Sequence, residues 1–281
     1  MSDVIEQSVT ANSLDWHYAR VNPANESDKP PVVCLHGIPA QSYTWNAILP
    51  DLADAGFSAI APDWIGYGRS SKPEKRQFAY TPDAYVSELG NFLDSLDIQT
   101  CSLVVQGFLA SAGIQFAFKN RDRVHRLAIC NTPISTAAKL PWRIKQLGLP
   151  LAGDMATQDP LLMDRTLEKG SGFVVSDEDL DIYRRPFLKS SSAGRSLLYS
   201  IRNLQLKSAM AEIESGWKDW DKPTLLVWGT QDSWLPVTEA RSLCEKLSEC
   251  ELVELPEAAH FPQEHFSKEI AQHLIRFLRR R

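Results

Sequence analysis

The chain has no apolar run approaching the roughly 18 residues that a membrane-spanning helix needs, so no part of it is expected to cross a bilayer. It has no Cys-x-x-Cys pair, and its five cysteines are an odd number. Three of them (Cys34, Cys101 and Cys130) fall inside apolar runs that read as buried strands. With Cys244 and Cys250 they suit a reducing compartment better than a disulfide framework. Positive charge is not in excess: 30 Lys and Arg stand against 35 Asp and Glu, a net charge of −5. Nucleic acid is therefore disfavoured as a partner, because binding to phosphate backbones rests on clustered cations. The basic Arg279-Arg280-Arg281 follows a helical pattern and suits the negative end of a helix dipole. The opening MSDVIEQSVTANS has no apolar signal region, and the cytoplasm is the expected location. No repeat or low-complexity segment occurs, and neither a metal nor a cofactor is expected.

The 281 residues are 43% hydrophobic and 23% charged. That is ordinary for a globular protein and enough for one large core without disulfide or metal. Residues 14–21 alternate and read as an early strand. Apolar runs at 31–35 and 101–105 read as strands buried on both faces, and 58–61, 126–130, 224–228 and 251–255 read as further strands. Helical periodicity covers 42–55, 82–96, 109–119, 238–247 and 267–279, with Thr81-Pro82 as a helix start. Strands alternating with helices predict an α/β fold with a mostly parallel sheet flanked by helices. The alternation breaks between 133 and 220. That stretch is helical in pattern, punctuated by Pro141, Pro150, Pro160 and Pro186, and reads as a helical cap. Residues 1–132 and 221–281 then form the core.

Ligands of open α/β sheets bind beyond the carboxyl ends of the strands. Four such ends carry unusual residues: His36-Gly37-Ile38-Pro39, Gln106-Gly107-Phe108, Gly229-Thr230-Gln231-Asp232 and Glu257-Ala258-Ala259-His260-Phe261. Singly, an Asp after a strand caps the next helix and a loop His is a structural group. In this order, however, a strand-end Asp followed by a loop His makes an acid–base pair. The Asp fixes the imidazole tautomer and stabilises its charged form.

The segments HGIPAQSYTWN (36–46), PDWIGYGRSSKP (62–73), LVVQGFLAS (103–111), YRRPF (183–187), LLVWGTQD (225–232) and EAAHFPQEH (257–265) resemble the epoxide hydrolase and haloalkane dehalogenase branch of the α/β-hydrolases. The resemblance covers nearly the whole chain. It implies Asp232 as the acid of a triad and His260 as its base. It implies backbone N–H groups of Ile38 and Phe108 as an oxyanion hole, a cis bond before Pro39, and a cap at 133–220. His36, Trp45, Tyr183 and Tyr199 become candidate substrate-binding residues, with Trp64 another aromatic able to line the pocket.

The departure is at the centre. The branch places Asp at the third residue of this turn, in a Val-Val-Gln-Asp-Trp-Gly-Gly run. This chain has Gly107, which has no side chain to form a covalent intermediate, and Leu109 where a glycine is usual. Ile38 and Phe108 replace the Asn and Trp that grip halide in dehalogenases. The leading reading is a non-catalytic descendant that binds a small apolar molecule or a protein partner. An alternative is an atypical hydrolase in which the Asp232–His260 pair activates water on an ester or epoxide. A second is an ester hydrolase using Ser111 or another unaligned nucleophile. Cys34 and Cys130 read as structural.

Overall fold

The computed structural model describes residues 2–280 except Glu26, 150–152, 154–158 and Pro160. Its eight strands are β1 (Ile5–Ala11), β2 (Leu14–Val21), β3 (Val32–Leu35), β4 (Ala59–Pro62), β5 (Cys101–Gln106), β6 (Val124–Cys130), β7 (Thr224–Gly229) and β8 (Cys250–Leu255). They form one sheet in the order β1-β2-β4-β3-β5-β6-β7-β8. β1 and β2 form an antiparallel hairpin, β2 joins β4 antiparallel, and every pairing from β4 to β8 is parallel. Strands β3, β4, β5 and β7 are buried along their whole length. Helices therefore cover both faces, as their uninterrupted apolar sequences require.

Helices α1 (Leu49–Asp54) and α10 (Ser267–Leu278) cover one face, with Leu49, Leu52, Ile270, Leu274 and Phe277 in its core. On the other face lie α2 (Pro82–Ser95) and α3 (Ser111–Lys119), contributing Tyr85, Leu89, Phe92, Ile114 and Phe116. Between β6 and β7 the described residues form α4 (Trp142–Leu147), α5 (Leu162–Ser171), α6 (Asp177–Lys189), α7 (Ser191–Arg202) and α8 (Leu206–Gly216), with no strand among them. Pro150 and Pro160, read from sequence as punctuation, lie outside the described residues. Helix α9 (Val237–Cys244) links β7 to β8.

Three expectations are corrected. The helix expected over 42–55 is a 3-10 turn at Ser42–Trp45 followed by the short α1. Pro50 sits in the first turn of α1, where its missing N–H is tolerated, and would break a continuous helix there. Strand β1 was not anticipated: its sequence is polar and mostly exposed, as suits an edge strand. Cys244 and Cys250 are joined in a disulfide, because the end of α9 meets the start of β8. Cys34, Cys101 and Cys130 are buried and free.

Candidate active site

Asp232 follows β7 and His260 follows β8, in two loops that touch. Gly229 permits the approach: a Cβ there would lie 2.4 Å from the carbonyl oxygen of Ala259 and 2.6 Å from that of Ala258. Gln231 N–H donates to the Ala258 carbonyl at 2.9 Å, locking the loops together. The side chains of Asp232 and His260 meet across them, with Nδ1 of His260 2.8 Å from Oδ2 of Asp232. Both residues are buried. A carboxylate can only accept, so Nδ1 carries the hydrogen and the lone pair sits on Nε2.

Asp232 is held from every side. Asn131 Nδ2 donates to Oδ2 at 2.8 Å, and the backbone N–H groups of Trp234 and Leu235 donate to Oδ1 at 2.7 and 3.1 Å. His260 is held as firmly. Its N–H donates to the Gly170 carbonyl of α5 at 2.8 Å, and its carbonyl accepts from Gln106 Nε2 at 2.7 Å. The rings of Trp234, Phe261 and Phe108 stand 4.5, 4.9 and 5.6 Å from the imidazole. Nε2 of His260 is buried and has no hydrogen-bond partner.

That free nitrogen faces the turn after β5. Gly107 has φ +81°, and a Cβ built on it would stand 3.7 Å from His260 Nε2. The same Cβ would lie 2.9 Å from the Cα of Gly37, so the turn presses on the strand end that carries Ile38. Positive φ is open to glycine and strained for other residues. The N–H of Gly107 donates to the Asn131 carbonyl at 3.3 Å. Neighbouring Ile38 and Phe108 are also buried, and neither backbone N–H has an acceptor among the described residues. Two unpaired backbone donors and one unpaired acceptor thus flank one small buried region, whereas buried polar groups ordinarily find partners. The Ile38–Pro39 bond is cis.

The other sequence candidates divide. Ser111 is buried, and its hydroxyl donates to the Phe108 carbonyl at 2.7 Å, one turn back in its own helix start. Burial pushes the Cys34 and Cys130 thiols up, the latter to about 12, so neither forms a thiolate readily. His36 is corrected from a substrate contact to a structural group. Its Nδ1 meets the Gly37 carbonyl at 2.8 Å, and its Nε2 accepts from Trp64 N–H at 3.1 Å. Burial lowers its pKa to about 4. Trp64 returns the contact, its Nε1 donating to the His36 carbonyl at 2.9 Å. Trp45 is also corrected: it packs into the core beneath α1 and α10. Tyr199 reaches Glu74 at 3.3 Å and packs on Tyr80, away from the imidazole's ring contacts. Tyr183 shares an apolar cluster with Phe261, and its hydroxyl donates to Glu264 Oε1 at 2.6 Å.

Sequence reasoning missed Asn131, Gln263 and Trp234, and gave Gln106 no role. Gln263 Nε2 donates to Thr44 Oγ1 at 2.7 Å and to Gln106 Oε1 at 3.3 Å, and Thr44 donates to Glu264 Oε1 at 2.5 Å. This polar chain ties α6 and the β3 loop to the backbone of His260. Burial raises the Glu264 carboxyl to about 7. Trp234 also helps line a cavity of about 650 Å³, together with Ile134, Leu140, Trp142, Trp228 and Leu235.

A profile of the α/β-hydrolase fold matches residues 30–266. The chain is 30% identical over 231 residues to a haloalkane dehalogenase of Mycobacterium marinum, covering 78% of this chain and 73% of the relative. A haloalkane dehalogenase of Mesorhizobium japonicum is 28% identical over 265 residues, covering 89% and 84%. Among solved structures, haloalkane dehalogenase DbeA from Bradyrhizobium elkani superposes with a TM-score of 0.87, covering 98% of both chains at 22% identity. The haloalkane dehalogenase DatA from Agrobacterium tumefaciens gives 0.84 at 25% identity, covering 98% and 96%.

Proposed function

This chain belongs to the α/β-hydrolase fold family, in its haloalkane dehalogenase-like branch, and on that premise we propose that it is a hydrolase in which His260, oriented by Asp232, activates water directly. Gly107 stands where the branch carries its nucleophilic Asp. In this reading a water takes the place of that carboxylate beside the imidazole, on a turn so close to Gly37 that a Cβ at Gly107 would lie 2.9 Å from its Cα. The observation that carries the reading is the free, buried Nε2 of His260, 3.7 Å from where a Gly107 Cβ would stand.

For an ester, Nε2 takes a proton from water as the water oxygen bonds to the carbonyl carbon. The N–H groups of Ile38 and Phe108 donate to the oxyanion that forms. The imidazolium, stabilised by Asp232, then returns its proton to the departing alkoxide, giving acid and alcohol. The helices at 133–220 act as a cap, supported by the Gly170–His260 hydrogen bond from α5. The cavity beside Trp234 is lined by Ile134, Leu140, Trp142 and Leu235 but also by Lys139, Arg143, Lys169 and Glu239, and none of His260, Gly107, Ile38 and Phe108 lines it, so the reading does not rest on it. Halide release is not part of this reading, since Ile38 and Phe108 supply no side-chain donors of the kind that grip halide.

A second reading, a non-catalytic binder of a small apolar molecule, is favoured by one observation: three aromatic rings wall the imidazole, which is 1% exposed. The test is hydrolysis of small activated esters and epoxides by purified protein. Turnover abolished by His260→Ala supports the catalytic reading. Tight binding of such molecules with no turnover beyond the His260→Ala background supports the binder.

A further inference from the structure

We propose that a basic cavity between residues 68–72 and the α6–α7 junction is a binding site for a phosphoryl anion. The cavity holds about 500 Å³, within the range of small-molecule sites. Arg69, Lys72, Arg185 and Lys189 line it, and no Asp or Glu is among its lining residues. In a chain of net charge −5, Lys72, Arg185 and Lys189 around one cavity, with Arg69 beside them paired to Glu6, are a local excess of positive charge. Such a concave, single-sign field concentrates counter-ions.

The pattern along α6 sharpens the point. Arg184, on another side of the helix, is matched by carboxylates: it bonds Asp164 Oδ1 at 2.7 Å and Asp181 Oδ1 at 2.8 Å. Arg185 and Lys189 are exposed and have no ion pair or hydrogen bond. They stand one turn apart, a spacing at which like charges repel. An anion between them and the facing loop would relieve that repulsion.

The facing loop is fixed before any ligand arrives. Lys72 Nζ donates to the carbonyls of Gly68 at 2.7 Å, Ser70 at 2.9 Å and Tyr67 at 3.4 Å, which hold the ammonium in place and take its three hydrogens, so it contributes charge rather than a hydrogen bond to an anion. Arg69 N–H donates to Asp63 Oδ2 at 2.7 Å, while its guanidinium also meets Glu6. The Asp63 carboxylate is taken up by Ser42 N–H, Arg69 N–H and His17. Gln41 Nε2, donating to the Ile182 carbonyl at 2.9 Å, joins this wall to α6. The Ser190 and Ser192 hydroxyls complete the rim. Guanidinium forks and a fixed ammonium suit the several oxygens of a doubly charged phosphoryl group better than a single-charge anion.

The experiment is calorimetric titration of the full chain with inorganic pyrophosphate at near-physiological salt. Saturable binding is expected, one anion per chain. Arg185→Glu with Lys189→Glu should weaken it by roughly tenfold or more, since two attractive contacts become repulsive. The pair Lys207→Glu with Lys218→Glu changes net charge equally at exposed positions, one at the start of α8 and one in the turn just past its end, and should leave binding unchanged. No saturable binding, or equal loss in both pairs, overturns the proposal. Sedimentation with phosphatidic-acid vesicles then separates the sources. Vesicle binding that pyrophosphate competes away identifies a lipid headgroup, and pyrophosphate binding without vesicle binding identifies a soluble phosphoryl compound. None of these readouts depends on hydrolysis.

Discussion

The two halves of the site are held by different means. On the β7–β8 side, side chains do the holding: Asp232 accepts from His260, Asn131 and two backbone N–H groups, and Gln106 grips the His260 backbone. On the β5 side, the turn at Gly107 is held mostly by backbone, through positive φ, the Asn131 carbonyl and contact with Gly37, with one side-chain bond from the Ser111 hydroxyl to the Phe108 carbonyl. A side-chain network fails when one member is replaced, because a buried partner is left unpaired. A backbone turn can lose its side chain and keep its shape. The Asp232–His260 hydrogen bond can therefore stand in full geometry beside a position that carries no side chain. Asn131 joins the halves, its side chain on Asp232 and its carbonyl on Gly107.

The largest effect is expected on the side-chain half. Asp232→Asn should lower any His260-dependent turnover by on the order of 10³–10⁴-fold, because an amide can direct its N–H at Nδ1 and force the other tautomer. Steady-state kinetics on the substrate found in the panel measures this; a change below tenfold would mean that Asp232 does not orient the imidazole.

Next in size are two stability effects. Gly107→Asp should cost about 1–3 kcal/mol from backbone strain, read by urea denaturation, and adding Leu109→Gly tests whether a closer turn accommodates the new side chain. Unchanged stability would show that the turn is not constrained by its φ. Asn131→Ala should cost about 1–2 kcal/mol by leaving a buried carboxylate oxygen one donor short. The amide signal of Gly107 should shift with it if Asn131 couples the two halves, and a silent Gly107 would separate them.

The smallest effect concerns Glu264. Its carboxyl is raised in the folded protein to about 7, from an unfolded value near 4.3. The folded state therefore binds more protons than the unfolded one between these values. Its contribution to stability is fully present below about pH 4 and declines as pH rises towards 7. The decline should be less than about 1 kcal/mol per pH unit, given solvent screening of a partly exposed group. Glu264→Gln keeps an oxygen for the Thr44 and Tyr183 hydroxyls and should flatten stability over that window. An identical pH profile in the variant would remove Glu264 as the cause.

Most of the parallel sheet was legible because strands buried on both faces leave apolar runs, as at 31–35 and 101–105. Strand β1 was not, because an edge strand needs little apolar surface. Asp232, His260 and Gly107 stood out because each lies at a strand end, and the structure brings the three positions together. Asn131 lies at another such end, after β6, and the same rule could have found it. Trp45 and His36 misled because an aromatic or imidazole near a site motif carries no sign of which way it points. Trp45 turns under the sheet, and His36 spends both nitrogens on backbone. The disulfide was hidden because five intervening residues say nothing about the helix-to-strand contact that closes it.

The most direct test of the water-activation account is a single turnover in oxygen-18 water, with enzyme in excess over an ester or epoxide substrate. With no carboxylate at residue 107, solvent oxygen should enter the product in that first turnover, with no covalent adduct on the chain and no product from His260→Ala. Unlabelled product from the first turnover, or an enzyme mass raised by the acyl or alkyl group, would show that a side chain attacks first and would contradict it.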